Sequence, residues 1–284
     1  MTGLTSYSSV GKRVRLSRLL DPRGTLIFAF DHWLEHGPTD FTDDRLDPKI
    51  ILEAVVDAGV DGVMLTPGDA RLYSDIWAGR TSLVVKITGK TSLRPKEDQL
   101  VQSIIGAVED AVRLGADAVA ATVYWGSPWE DLMLERWTII REKAEEYGIP
   151  ALQLAYPRGP TIKDRHALNI VLYGVRSAVM VGADLIKTYY TGDKESFSKV
   201  VTAASGVPVM MSGGPARNNP LDFLRDLQAV REAGAVGAVV GRNIFQARDI
   251  RAMAEACKLV LTGDATPEEA VEGEGLEWVG RRRR

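Results

Sequence analysis

The sequence predicts an α/β protein, a single (β/α)8 TIM barrel, and three observations lead there. Short apolar stretches of strand character alternate with longer stretches of helical period along almost the whole chain. The alternation repeats eight times, the number of parallel units that closes a barrel, whereas an open doubly wound sheet usually stops at about five or six strands. Four helical stretches end alike, in DAGVDG, RLGADA, MVGADL and EAGAVG. In each, glycine supplies the left-handed residue that stops a helix, and an apolar run follows as strand.

In order, strands are expected at 25–31 (TLIFAFD), 61–67 (DGVMLTP), 82–88 (SLVVKIT), 117–125 (DAVAATVYW), 150–157 (PALQLAYP), 183–190 (ADLIKTYY), 207–213 (VPVMMSG) and 236–242 (VGAVVGR). Helices are expected at 48–59, 97–115, 129–148, 165–182, 193–205, 223–234 and 244–261. Residues 1–24 are expected to carry a short helix covering the barrel's bottom, and the acidic, glycine-containing stretch 263–284 to be a tail. No Pro/Gly/Ser linker divides the chain, so one domain over 1–284 is expected.

At 284 residues and 45% hydrophobic content the chain can bury one sizeable core. A formal charge of −3 gives no general pull toward nucleic acid or an anionic membrane. The run Arg281 to Arg284 reads as a solvated end. Cys257 is the single cysteine, which excludes an intrachain disulfide and a cysteine-held metal. With neither a signal-like segment nor a long apolar run, a cytoplasmic protein with no membrane partner is expected. Trp129 and Trp137 are open between core and subunit interface, and a homo-oligomer is expected.

A barrel places chemistry at the C-terminal ends of its strands. In the sixth, period-two alternation puts Leu185, Lys187 and Tyr189 on one face. A lysine inside such a run either snorkels to the rim, pairs with an acid, or serves as a nucleophile. Desolvation favours the neutral amine, which can attack a ketone to give an iminium that draws electrons from the neighbouring carbon. Lys86 stands similarly in the third strand. It can depress the pKa of Lys187 by like-charge repulsion or balance a carboxylate, and both readings stay open.

In the first strand Ile27, Ala29 and Asp31 share a face, so Asp31 reaches the mouth or caps a turn. His32, Glu35 and His36 suggest a polar pocket there, but they do not match the H-E-x-x-H metal motif, and no metal is expected. In the fifth strand Tyr156 can point to the mouth as a general acid and base, or be a core tyrosine. Arg158 behind it can grip an anion. After strands seven and eight, Gly213, Gly214 and Gly241 lack a Cβ, so backbone N–H groups can approach an anion closely, Arg242 can add charge, and Asn243 is expected as a helix cap aiming there.

Taken together, AFDHWLEHGPTDF, ITGKTSL, TVYWGS, YPRG, GADLIKTYYTGD, PVMMSGGP and VGRNIFQ resemble the archaeal-type class I fructose-bisphosphate aldolases, through residues 25 to about 261. The resemblance implies Lys187 as the Schiff-base lysine, Tyr156 as proton donor and acceptor, and Asp31 as the carboxylate at the reacting hydroxyls. It also implies Ser212, Gly213, Gly214, Gly241 and Arg242 around the first phosphate, with Arg158 and His36 toward the other end of the sugar. Two residues depart from the family pattern. Trp33 stands where DHG usually has glycine, and Leu154 where tryptophan is common, so a reshaped pocket is expected.

The expected reaction is reversible cleavage of fructose 1,6-bisphosphate to dihydroxyacetone phosphate and glyceraldehyde 3-phosphate, a step of glycolysis and gluconeogenesis, without metal or organic cofactor. Lys86 is counted among the substrate-binding residues. The rivals are a transaldol-type 2-amino-3,7-dideoxy-heptulosonate synthase or another phosphoketose aldolase using the same lysine, a non-catalytic phosphosugar-binding barrel, and a metal-dependent isomerase.

Overall fold

In the computed structural model, which describes residues 9–276, eight parallel strands close on themselves. They are β1 (Thr25–Phe30), β2 (Gly62–Leu65), β3 (Ser82–Lys86), β4 (Ala118–Trp125), β5 (Ala151–Pro157), β6 (Leu185–Thr188), β7 (Val209–Ser212) and β8 (Gly237–Val240). Each pairs with its sequence neighbours, and β8 pairs with β1. All eight strands lie where the sequence places them. They are shorter than expected where a cap intervenes: Thr66 turns from β2 into the helix Pro67–Leu72 by accepting a bond from the Asp69 N–H.

The glycine stops behave as the sequence predicts, with Gly59, Gly115, Gly182 and Gly234 at φ of 76, 76, 82 and 89°. In three of the four motifs the following Asp has a further task at the barrel's bottom. Asp61 accepts the N–H of Leu26 at 2.7 Å and Asp184 that of Ala151 at 2.9 Å, while Asp117 pairs with Arg18. Lys258 grips Asp61, and Lys12, only 3% exposed, grips Asp184 at 2.8 Å. Lys12 belongs to the helix Val10–Leu19, which lies across the strand starts with Leu16 and Leu19 buried.

Two expected elements differ. The stretch 97–115 is not one helix: only Val108–Arg113 is α-helical, preceded by a 3-10 turn at Lys96–Gln99. Ser103–Ile104 instead forms a small antiparallel sheet with Thr88–Gly89, and Val101 and Gln102 are buried. Apolar spacing fits either arrangement, and tertiary contact with the barrel decides. The stretch 244–261 breaks into Arg242–Phe245 and Ile250–Thr262, because Asp249 caps a fresh helix by accepting the N–H of Ala252.

The tail expected at 263–284 needs correction as far as residue 276. Pro267–Gly273 is a helix opened by a Thr266/Glu269 capping box, with Ala270 buried against the helices Pro220–Glu232 and Ile250–Thr262. Residues 1–8 and Arg281 to Arg284 lie outside the described residues. Trp137 proves to be core, its indole N–H donating to the Val181 carbonyl, whereas Trp129 is 46% exposed. Among the described residues no helix is long and apolar enough to cross a membrane.

Candidate active site

The strand ends open into a cavity of about 690 Å³. The catalytic and substrate-binding candidates named from the sequence all line it: Lys187, Tyr156, Asp31, Ser212, Gly213, Gly214, Gly241, Arg242, Arg158, His36 and Lys86. Lys187 arrives there because β6 is buried on both faces and alternation turns its side chain inward, in register with Leu154 on β5 and Met210 on β7.

The two lysines are buried alike and partnered differently. Lys86 is 2% exposed, and its ammonium donates to Asp31 and, at 2.7 Å, to Glu35. Burial pulls its pKa down, but the two carboxylates more than reverse this and hold it above the usual lysine value. Lys187, 6% exposed, makes no hydrogen bond or ion pair with any described residue. Burial, with repulsion from Lys86 and Arg242, pushes its pKa down to about 8 despite the attraction of Asp31. Of the readings left open for Lys86, the geometry selects the ammonium that balances carboxylates, and its charge also bears on Lys187.

Asp31 sits at the N-cap of a short helix, His32–His36, but makes no capping bond there. Its carboxylate is turned to Lys86. Burial pushes its pKa up, and Lys86, His32 and Lys187 together hold it well below the usual carboxylate range. The HWLEH segment is thus a short helix that opens directly after β1. Its His32 is buried, pushed down to about 3 by desolvation and so neutral, with Nδ1 3.6 Å from Asp31. Among the described residues no group of three or more His, Cys, Asp or Glu side chains is placed to hold a metal ion.

Tyr156 extends from β5, its hydroxyl 3.0 Å from Ser212 Oγ, its ring stacked on Tyr189 at 4.7 Å. Burial raises its pKa to about 12 although the Ser212 bond opposes this, so the phenol keeps its proton at neutral pH. After β7 and β8 the backbone comes close. Gly214 is left-handed at φ 65°, and a Cβ on Gly241 would fall 2.2 Å from the His32 ring and 2.9 Å from the Ala29 carbonyl.

Asn243 is not the helix cap expected; Gly241 occupies that position. The Asn243 amide instead donates to the carbonyls of Gly213 (2.7 Å) and Pro215 (3.0 Å) and accepts the Arg217 N–H (2.8 Å). One side chain thereby fixes the loop after β7 against the turn after β8.

Of the two departures from the family pattern, only Leu154 lines the cavity. Trp33 does not: its ring stacks on Phe41 at 4.5 Å, and Phe41 on Phe245 at 4.9 Å, so the added bulk extends an aromatic stack beside the mouth. The expectation that Trp33 reshapes the pocket wall is corrected accordingly. His36 stacks on His32 and faces Asp40; no bond or ring contact joins it to Arg158.

Sequence reasoning missed Gln102, which donates to Glu35 (2.9 Å) and to the Tyr124 hydroxyl (2.8 Å). Nothing in its neighbourhood signals this, because it lies in the stretch read as helix. Tyr124 was legible, since alternation in β4 turns it inward with Thr122. Arg165 and His166, in the segment after β5, also line the cavity.

A closed parallel barrel with a buried lysine unpartnered among the described residues, a retained phenol and glycine-rich loops at its mouth defines a barrel aldolase, a carbon–carbon lyase. The chain belongs to the DeoC/LacD family of aldolases, whose model matches residues 25–247. It is 43% identical to the fructose-bisphosphate aldolase class 1 of Thermoproteus tenax over 87% of this chain and 93% of that protein. It is 36% identical to a 2-amino-4,5-dihydroxy-6-oxo-7-(phosphonooxy)heptanoate synthase of Streptomyces griseus, over 86% and 88%. An archaeal fructose-1,6-bisphosphate aldolase, solved with its catalytic lysine bound to the carbinolamine intermediate, superposes with a TM-score of 0.83 at 40% identity, covering 89% of this chain and all of that one.

Proposed function

We propose that the protein is a class I aldolase that reversibly cleaves fructose 1,6-bisphosphate to dihydroxyacetone phosphate and glyceraldehyde 3-phosphate. The observation that carries this reading is the Lys187 amine, buried, unpartnered and with its pKa pushed down to about 8. At pH 7 about a tenth of such an amine is neutral, against well under a thousandth for a solvated lysine. It adds to the C2 carbonyl, and loss of water gives the iminium. As the C3–C4 bond breaks, its electron pair flows into the iminium to give the enamine, while Asp31 takes the proton of the C4 hydroxyl. Tyr156, protonated at neutral pH, delivers a proton to the enamine carbon before hydrolysis frees the amine. Gly213, Gly214, Gly241 and Arg242 hold the C1 phosphate and so fix C2 against Lys187.

A homo-oligomeric, cytoplasmic enzyme of glycolysis and gluconeogenesis goes with this reading, and sedimentation of the purified protein tests the first of these. The chemistry is tested by borohydride with dihydroxyacetone phosphate. Reduction is expected to abolish activity and leave one adduct, on Lys187, and Lys187→Ala is expected to lose both. Activity that survives reduction but disappears with a chelator overturns the scheme. The synthase reading, favoured by the Streptomyces relative, predicts instead that this chain joins a different acceptor and leaves fructose 1,6-bisphosphate uncleaved.

A further inference from the structure

Three guanidinium groups line the cavity with no carboxylate of the described residues within ion-pair distance: Arg242 after β8, and Arg158 and Arg165 after β5. Like charges that converge without an acid call for an anion. Arg242 serves the C1 phosphate in the reading above, which leaves the other two. Arg158 is seated on aromatic rings, 5.0 Å from the Tyr124 centroid and 5.4 Å from that of Tyr156, and its Nε donates to the Tyr189 hydroxyl. Arg165 lies over the same Tyr189 ring at 5.2 Å.

The seat of Arg165 is built as well. Its Nε donates to His166 Nε2 at 3.3 Å, and His166 Nδ1 stands 3.0 Å from the Tyr190 carbonyl. One neutral tautomer, with the proton on Nδ1, satisfies both contacts. In both arginines, then, Nε is engaged by a fixed protein group, and the terminal NH2 groups are left for a ligand, a geometry that suits bidentate grip of a phosphate. His36, which the family resemblance places at this end, shares no contact with either.

We infer that Arg165, seated on Tyr189 beside Arg158, is a specificity-determining residue that receives the second dianion of the substrate, the phosphate on C6. The inference rests on the aldolase reading, with C1 phosphate at the glycine loops. Removing a charge-assisted contact made only to that phosphate raises KM for the bisphosphate and leaves the monophosphate almost untouched.

The test is steady-state kinetics of Arg165→Ala and Arg165→Lys with fructose 1,6-bisphosphate and with fructose 1-phosphate. For Arg165→Ala, KM for the bisphosphate is expected to rise about tenfold or more, with less than about a twofold change for the monophosphate. Arg165→Lys is expected to recover part of the loss, and trapping of dihydroxyacetone phosphate by borohydride to be unchanged. Equal changes with both sugars, or a bisphosphate KM within about twofold of the parent, overturn the inference. A parent enzyme that traps no dihydroxyacetone phosphate overturns the aldolase reading instead, so the two failures are distinguishable.

Discussion

Lys187 and Lys86 sit at the ends of β6 and β3, at nearly equal depth, and what separates them is the company of acids. Asp31 and Glu35 both bond to Lys86, so the positive charge is localised there and the second amine is left to lose its proton. Formation of the iminium should therefore rise with pH as Lys187 passes from ammonium to amine, with a midpoint about 8, measurable by rapid mixing with dihydroxyacetone phosphate. Lys86→Met removes a repelling charge and leaves the Asp31 carboxylate without its lysine, while Glu35 keeps Lys90 at 3.7 Å, and both changes favour protonated Lys187. The midpoint is expected to move up, and a midpoint that stays or falls contradicts this partition of charge. Leaving buried Asp31 without its cation should also cost about 3–5 kcal/mol of stability, read by denaturant unfolding.

At the scale of elements, the site depends on how the segments after β7 and β8 are held together. Asn243 bonds three backbone groups of the preceding loop, and Gly241 leaves the room that His32 and the Ala29 carbonyl take up. Asn243→Leu keeps the size of the side chain but removes all three bonds, so the backbone N–H groups lose their fixed aim. Its expected effect is weaker capture of dihydroxyacetone phosphate, by about tenfold, with the Lys187 adduct still forming at saturating ligand. An unchanged affinity would show that the loop keeps its shape without this residue.

For the molecule as a whole, the barrel separates stability from chemistry along its axis. At the bottom Asp184 accepts a strand N–H and the buried Lys12, on the opposite end of β6 from Lys187. Asp184→Asn should lower stability by about 2 kcal/mol, seen as a fall in Tm of about 4 °C or more. The ratio kcat/KM at a temperature where the variant is folded should not change. A large loss of activity without loss of stability would mean that the two ends are coupled through the strand.

Local order in this chain determined a good deal: the eight strand positions, the four glycine stops, and the inward face that brings Lys187, Tyr156 and Asp31 to one end. Each of these follows from the chemistry of residues a few positions apart, through alternation in strands and the left-handed tolerance of glycine. Tertiary structure alone decided which lysine is paired, because Lys86 finds Asp31 across 55 positions and Gln102 finds Glu35 across 67. It likewise decided that 101–104 leaves the helical path, that Asn243 binds a loop instead of capping a helix, and that Trp33 turns to Phe41. These outcomes depend on charge, burial and shape met through space, and the spacing of residues along the chain carries no record of them.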